Sequence, residues 1–349
     1  MRPFTETAAS GSTISPSRQW TETYEARTPT LGKDYDRDYI TASRRLPSGA
    51  ALAAARNLQN AATWSPAALD DMRVVAVLAA YNEARFIGPC LEHLIRQGVD
   101  VYLLDNSSTD DTVAIASRYL GRGLIDIESC PRQGRYSWRP LLEHKERVFA
   151  TVDADWFMHV DADEIRLWPP QLGESLAEAF AEVERQGYNA VNFLEFTFTP
   201  TRESPDHDHP LFLETMRWYY PLAPPGPPSQ VKAWRRQQGP VDLASSAGHH
   251  VNFPGVRVYP VSFPMRHYMF LSVSHAVRKY VEPRYDPSEV AAGWHRAREA
   301  LRAESITLPA QSELRYFVSD AQLDASNPRP RHFLFASSGA SRREAAGGP

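Results

Sequence analysis

Three short apolar runs, each followed by a polar turn, constrain the fold of this chain more than any other feature. Residues 73–80 (Arg-Val-Val-Ala-Val-Leu-Ala-Ala) are almost continuously apolar, the composition of a strand buried on both faces. Phe86, Ile87, Cys90, Leu91, Leu94 and Ile95 then recur at helical spacing, with Pro89 in the first turn and Gly98 at the stop. Residues 101–104 form a second apolar run that ends on Asp105, and residues 106–109 form a turn. Ser108 is placed to cap a helix whose first turn carries Asp110 and Asp111. Gly121 closes that helix, and residues 124–127 make a third strand. Strand, helix, strand, helix and strand within roughly 55 residues predict parallel βαβ units with right-handed crossovers.

In such sheets ligands bind beyond the carboxyl ends of the strands. Tyr81-Asn82-Glu83 and Asp105 fall at such ends, and so does Asp161-Ala162-Asp163, which follows the apolar run 156–160. Two like charges at a strand end are costly unless a cation neutralises them. Hard divalent ions such as Mg²⁺ and Mn²⁺ take these oxygen ligands and share them with a phosphate-bearing substrate. A lone Asp-x-Asp reads first as an acidic turn; three polar strand ends converging favour one shared site.

Composition narrows the class. The 349 residues carry a formal net charge of −4, which argues against non-specific nucleic-acid binding. Two cysteines, Cys90 and Cys130, are too few for a disulfide framework and fit a reducing cytoplasm. The polar N-terminus has no apolar h-region, and no run of about 18 apolar residues predicts a membrane span. Residues 1–71 read as a largely disordered N-terminal extension with room for one helix at 52–58, residues 72–305 as the main domain, and residues 306–349 as a partly disordered tail.

Beyond the third strand, residues 138–151 predict a helix, and Leu172, Leu176, Phe180 and Val183 mark another that Gly187 stops. From residue 190 the pattern turns to alternation and aromatics, a mixed or antiparallel half with strands at 191–198, 211–213, 231–234 and 256–261. Residues 221–229 predict a proline-rich loop, and helical spacing returns at 272–280 and 289–301.

Tyr81-Asn82-Glu83, then Leu104-Asp105-Asn106-Ser107-Ser108-Thr109-Asp110-Asp111-Thr112, then His159-Val160-Asp161-Ala162-Asp163-Glu164 resemble the successive motifs of family 2 GT-A glycosyltransferases. Gly248-His249, Arg266-His267-Tyr268 and Gly293-Trp294-His295 resemble a bacterial subgroup of that family, and the resemblance spans residues 72–300. It implies an α/β, GT-A (Rossmann-like) fold: a mostly parallel central sheet flanked by helices, with a mixed or antiparallel acceptor-side half. It also implies a metal-dependent transfer of sugar from a nucleotide donor, UDP-linked, to an acceptor hydroxyl with inversion. By the same resemblance Tyr81, Asn82, Glu83 and Asp105 hold base and ribose. Asp161 touches ribose or metal, Asp163 binds Mn²⁺ or Mg²⁺, and His267 completes the metal shell, in competition with His249, His250, His275 and His295. Lys145 falls where the family places a polar residue near the nucleotide, or else is an exposed cation on a helix. Arg266, Arg278 and Lys279 are candidates for the diphosphate.

The catalytic base is the departure. The Glu-Asp pair and the Gln-x-x-Arg-Trp motif of processive members are missing, which argues against a polysaccharide synthase. Glu195, Glu214, Asp208 and His249 are left as alternatives. Trp218-Tyr219-Tyr220 reads as an acceptor-stacking patch or as core. Two other functions compete with transfer. One is a catalytically silent GT-A domain that binds a nucleotide sugar or glycan. The other is a nucleotidyltransferase, against which the loop after the first strand lacks glycine and lysine.

Overall fold

The computed structural model describes residues 72–132, 134–224 and 230–336. The expected extension 1–71 with its helix, most of the proline-rich loop and the last residues of the tail lie outside these. In chain order the main elements are β1 (Val74–Ala80), α1 (Ile87–Arg96), β2 (Val99–Asp105), α2 (Thr112–Ala116), β3 (Leu124–Ser129), α3 (Trp138–Thr151), β4 (Trp156–Asp161), β5 (Glu164–Arg166), α4 (Leu176–Arg185) and β6 (Ala190–Phe198). There follow α5 (Phe212–Thr215), β7 (Trp218–Leu222), β8 (Val231–Arg235), β9 (Phe263–His267), α6 (Val273–Ala276), α7 (Pro287–Ala291), α8 (Arg296–Glu299) and β10 (Arg315–Tyr316).

The sheet runs β10-β7-β6-β8-β4-β1-β2-β3, with β9 beside β6 and β5 beside β9. Strands β3, β2, β1 and β4 are parallel. Strand β8 joins β4 and β6 antiparallel, and β6 pairs antiparallel with β7 and parallel with β9. The expected parallel half and mixed half are both present.

Strand β1 shows why an all-apolar run was needed. Val74, Ala76 and Leu78 pack toward α1 and α4, where Leu91, Leu94 and Phe180 bury themselves. Val75 and Val77 point to the opposite layer, formed by Leu141, Val148 and Phe149 of α3 with Phe157 and Trp234. A period of two on a strand sends alternate side chains into two separate apolar layers, so no position tolerates a charge.

Several local expectations change. Residues 211–213 enter α5 instead of a strand, with Thr215 Oγ1 donating back to the Leu211 carbonyl. Residues 256–261 make only one bridge, Val258 to Ala190, because Pro254 and Pro260 interrupt the ladder; the strand begins at Phe263. Pro221 and Leu222 belong to β7. Residues 289–301 form two short helices separated at Gly293, whose φ is +98°. Ser108 caps no helix: its Oγ accepts from the Asn82 N–H at 3.0 Å, and α2 begins only at Thr112. Past residue 305 the chain returns to the sheet, with β10 on β7 and Phe317 and Leu334 buried.

Among the described residues, no helix is long and apolar enough to cross a membrane.

Candidate functional site

The loops after β1 and β2 are laced together by the polar residues the sequence singles out. Asn82, at φ +55°, accepts from the Thr109 N–H at 2.7 Å. Asn is among the few side chains that adopt this left-handed backbone readily. Thr112 Oγ1 accepts from the Glu83 N–H at 2.8 Å, and Asp110 from the Ala84 N–H at 3.1 Å. Asp105 turns inward, its buried carboxylate accepting from the Ser108 N–H at 3.2 Å, and it does not line the cavity described next. Much of this motif therefore builds the loop.

A cavity of about 1380 Å³ opens beyond the ends of β1 and β4 and extends over the mixed half of the sheet. Tyr81, Asn82, Glu83, Lys145, Asp161 and Asp163 line it, as do Glu195, His249 and His267. Glu214 does not; it is exposed on α5. Arg266 also lies outside, against Asp320 and over the Phe317 ring. Tyr81 already carries a partner on one face, the Arg132 guanidinium 3.9 Å from its ring centre. Tyr219 and Tyr220 are core residues of β7.

Charge in the cavity is arranged as linked pairs. Asp163 Oδ2 lies 3.3 Å from His267 Nε2 and 2.9 Å from Lys279 Nζ, and Lys279 also reaches Glu83 at 2.9 Å. The other ring nitrogen of His267 lies 2.7 Å from Glu195 Oε1. Burial would raise Asp163, but Lys279 and His267 outweigh it and hold the carboxyl well below its usual range. Burial likewise opposes the charge on His267, yet Glu195 and Asp163 drive its pKa well above that of a free imidazole. Glu195 accepts from His267, from Thr197 Oγ1 at 2.7 Å and from Gln230 Nε2 at 3.4 Å. Despite burial, His267, His332 and the Thr197 hydroxyl hold it well below the ordinary carboxylate range, so Glu195 is a poor proton acceptor in this arrangement. Glu83 is the exception, raised by burial to about 7 against the pull of Lys279.

Beneath the acidic strand end lie two buried lysines. Lys145 is 1% exposed, not the surface cation that was the alternative; its Nζ is 2.9 Å from His159 Nδ1 and 3.2 Å from the Val160 carbonyl. Burial lowers it to about 8. Lys232 joins Glu164 at 2.8 Å and Asp161 at 3.5 Å. A lysine inside the apolar stretch 231–234 was a readable signal for such a buried cation. Gly248 comes close to this layer: at φ +80°, a Cβ there would stand 3.2 Å from His159 Nε2. That close approach delivers His249 to the cavity wall, where burial lowers its imidazole to about 4 and keeps it neutral.

His275 and His295 also line the cavity, but each has one ring nitrogen engaged away from Asp163. His275 Nδ1 accepts from the Leu271 N–H, His295 Nε2 sits 2.8 Å from Glu289, and His250 does not line the cavity. Asp208 is held between Arg85 at 3.1 Å and Arg278 at 2.7 Å. His332, unread in the sequence, enters from the C-terminal segment, with Nδ1 3.1 Å from the Tyr220 hydroxyl and Nε2 3.8 Å from Glu195. Among the described residues no group of three or more His, Cys, Asp or Glu side chains is arranged to hold a metal ion.

Residues 75–223 match the Glycosyl transferase family 2 model. No curated protein matches the chain. Among solved structures, S. aureus TarS 1-349 in complex with UDP-GlcNAc is similar at 14% identity and TM-score 0.34, covering 56% of this chain and 58% of that one. Glucosyl-3-phosphoglycerate synthase from Mycobacterium tuberculosis, in complex with Mn²⁺, UDP and phosphoglyceric acid, is 21% identical at TM-score 0.26, covering 39% of this chain and 49% of that one. GlyE of Streptococcus pneumoniae TIGR4 is 20% identical at TM-score 0.20, over 28% and 25%. The chain thus spans under two thirds of the length of each of these structures. The expected family resemblance holds over the matched stretch: residues 75–223 match glycosyl transferase family 2, and they lie in an α/β fold with the expected parallel and mixed halves of the sheet.

Proposed function

We propose that this protein transfers a sugar from a nucleotide donor, UDP-linked, to an acceptor hydroxyl, with inversion at the sugar carbon and dependence on a divalent cation. The observation that carries this reading is the pairing of Asp163 with His267 at the rim of the strand-end cavity. An oxygen and a nitrogen 3.3 Å apart suit two adjacent ligands of one divalent ion. The carboxylate of Glu195 on the far ring nitrogen is the usual device for orienting a histidine ligand. Two protein ligands leave the remaining positions to phosphate oxygens and water, as Mg²⁺-type sites beside phosphates do. These residues therefore fit the ion: Asp163 and His267 would hold it, with Asp161 alongside. Bound there, it would neutralise the charge that builds on the departing nucleoside diphosphate.

The chain's own residues supply the rest. Lys279, already on Asp163 and Glu83, is a fixed cation at the diphosphate position. Tyr81, Asn82 and Glu83 form the nucleoside end, and Lys145 and Lys232 hold the acidic strand end from below. Glu195 is a positioning residue for His267. We assign proton acceptance from the acceptor hydroxyl to His249, which lines the cavity and makes no ring hydrogen bond among the described residues, so that its lone pair is free although burial weakens it as a base.

Calorimetry with UDP, with and without Mn²⁺, on the wild type and Asp163→Ala tests the donor site. Metal-dependent binding that vanishes in the variant is expected, and metal-independent binding would overturn the site as drawn. Release of UDP from a UDP-sugar, lost in His249→Gln with UDP binding retained, then separates an enzyme from a silent binding domain.

A further inference from the structure

Arg298 and His295 line the cavity on the side of His249; Arg298 shares a hydrogen bond with the Tyr136 side chain but has no carboxylate partner, and one ring nitrogen of His295 has no partner among the described residues. The Arg298 guanidinium lies 4.6 Å from the ring centre of Trp138 and 5.4 Å from that of Tyr280, and it forms no ion pair with any described residue. Glu289, a carboxylate bonded to His295, is engaged elsewhere. It accepts from the Trp138 N–H at 2.8 Å, the Arg139 N–H at 2.7 Å and His295 Nε2 at 2.8 Å. A guanidinium among aromatic rings gains from their faces but still lacks an anion.

His295 is 4% exposed, and its ring stands 4.5 Å from Trp138 and 4.9 Å from Tyr285. A carboxylate only accepts, so Nε2 carries the proton toward Glu289. Nδ1 is then a bare acceptor, and it is buried without a partner. One ligand that answers both groups must bring an anion to Arg298 and a hydroxyl to His295.

We propose that Arg298 and His295, on the Trp138 floor, form the acceptor subsite, and that the acceptor carries a phosphate or carboxylate next to a hydroxyl. The subsite rests on the transferase reading for its name and adds the acceptor's charge. Donor phosphates would have cations of their own in Lys279, which lies 2.9 Å from Asp163, and in the divalent ion that Asp163 and His267 would hold.

Glycerol phosphate, titrated calorimetrically into protein saturated with Mn²⁺ and UDP, is the probe, with glycerol as the uncharged control. Wild type is expected to bind glycerol phosphate at millimolar concentration and glycerol far more weakly. Arg298→Gln should weaken glycerol phosphate by about tenfold or more and leave UDP affinity within about twofold. Arg298→Lys, which keeps the charge and loses the fork, should weaken it less, and this variant answers the question if the glutamine variant melts early. Equal binding to wild type and Arg298→Gln, or no binding to wild type, overturns the subsite. A tenfold loss of UDP affinity in Arg298→Gln also overturns it, by assigning the arginine to the donor. Should UDP fail to bind wild type, the transferase reading fails alone, and the same titration without UDP still decides the anion site.

Discussion

Glu195 lies 2.7 Å from Nδ1 of His267, across the parallel pairing of β6 with β9 that sets Thr197 opposite His267. A strand acid that sequence alone offered as a base is thereby tied to the ring beside Asp163.

That relationship separates two roles by experiment. Glu195→Gln keeps the shape and removes the charge. A positioning role predicts that Mn²⁺-dependent UDP affinity falls about 10- to 100-fold. A base would leave UDP binding intact and lose only turnover. Calorimetry and a UDP-release assay on one variant distinguish the two.

Acid should destabilise the protein before its carboxylates titrate. Burial pushes His249 and His332 down to about 4, His275 to about 3, and His159 well below its ordinary value. Below pH ~6.5 the unfolded chain takes up protons that these folded rings refuse, so stability falls with falling pH. Each ring contributes about 1.4 kcal/mol per pH unit between its unfolded and folded pKa. His267 has the opposite sign: its raised pKa gives stability in full below pH ~6.5 that is lost only on the alkaline side, so it does not offset the acid loss. Denaturant melts at pH 7 and pH 5 are expected to differ by several kcal/mol, on the order of 5; equal midpoints would contradict buried neutral rings.

Gly248→Ala tests the close approach to His159. An added Cβ meets Leu142 Cδ2 at 3.1 Å and His159 Nε2 at 3.2 Å, on a backbone with φ +80°. A loss of about 1–2 kcal/mol in stability is expected from the left-handed backbone alone. Thermal melts measure that loss. Because His249 follows directly, UDP-sugar turnover should drop more than UDP affinity.

Phe317 tests whether the C-terminal segment belongs to the domain. It is 7% exposed and meets Phe198 edge-on at 5.2 Å. Phe317→Ala is expected to cost about 3 kcal/mol or more, as for a core aromatic. A tail that merely lay on the surface would show no change in the denaturation midpoint.

Sequence by itself determined the elements whose causes are local. An all-apolar run must be a doubly covered strand, so β1, β2 and β4 were legible, and α3 follows from its own spacing over Trp138–Thr151. The order of these elements, with parallel crossovers, placed Tyr81, Asn82, Glu83, Asp161 and Asp163 along one cavity. Only tertiary structure decided what each polar group does there. Asp105 was spent on its own turn, Lys145 and Lys232 were buried, and Glu195 was joined to a histidine 72 residues away. The physical reason is that a charge in a low-dielectric layer must find a partner, and sheet pairing brings that partner from a distant part of the chain. Residues 315–336 show the same limit: a polar stretch with little periodicity still docks on β7 and carries His332 to the cavity.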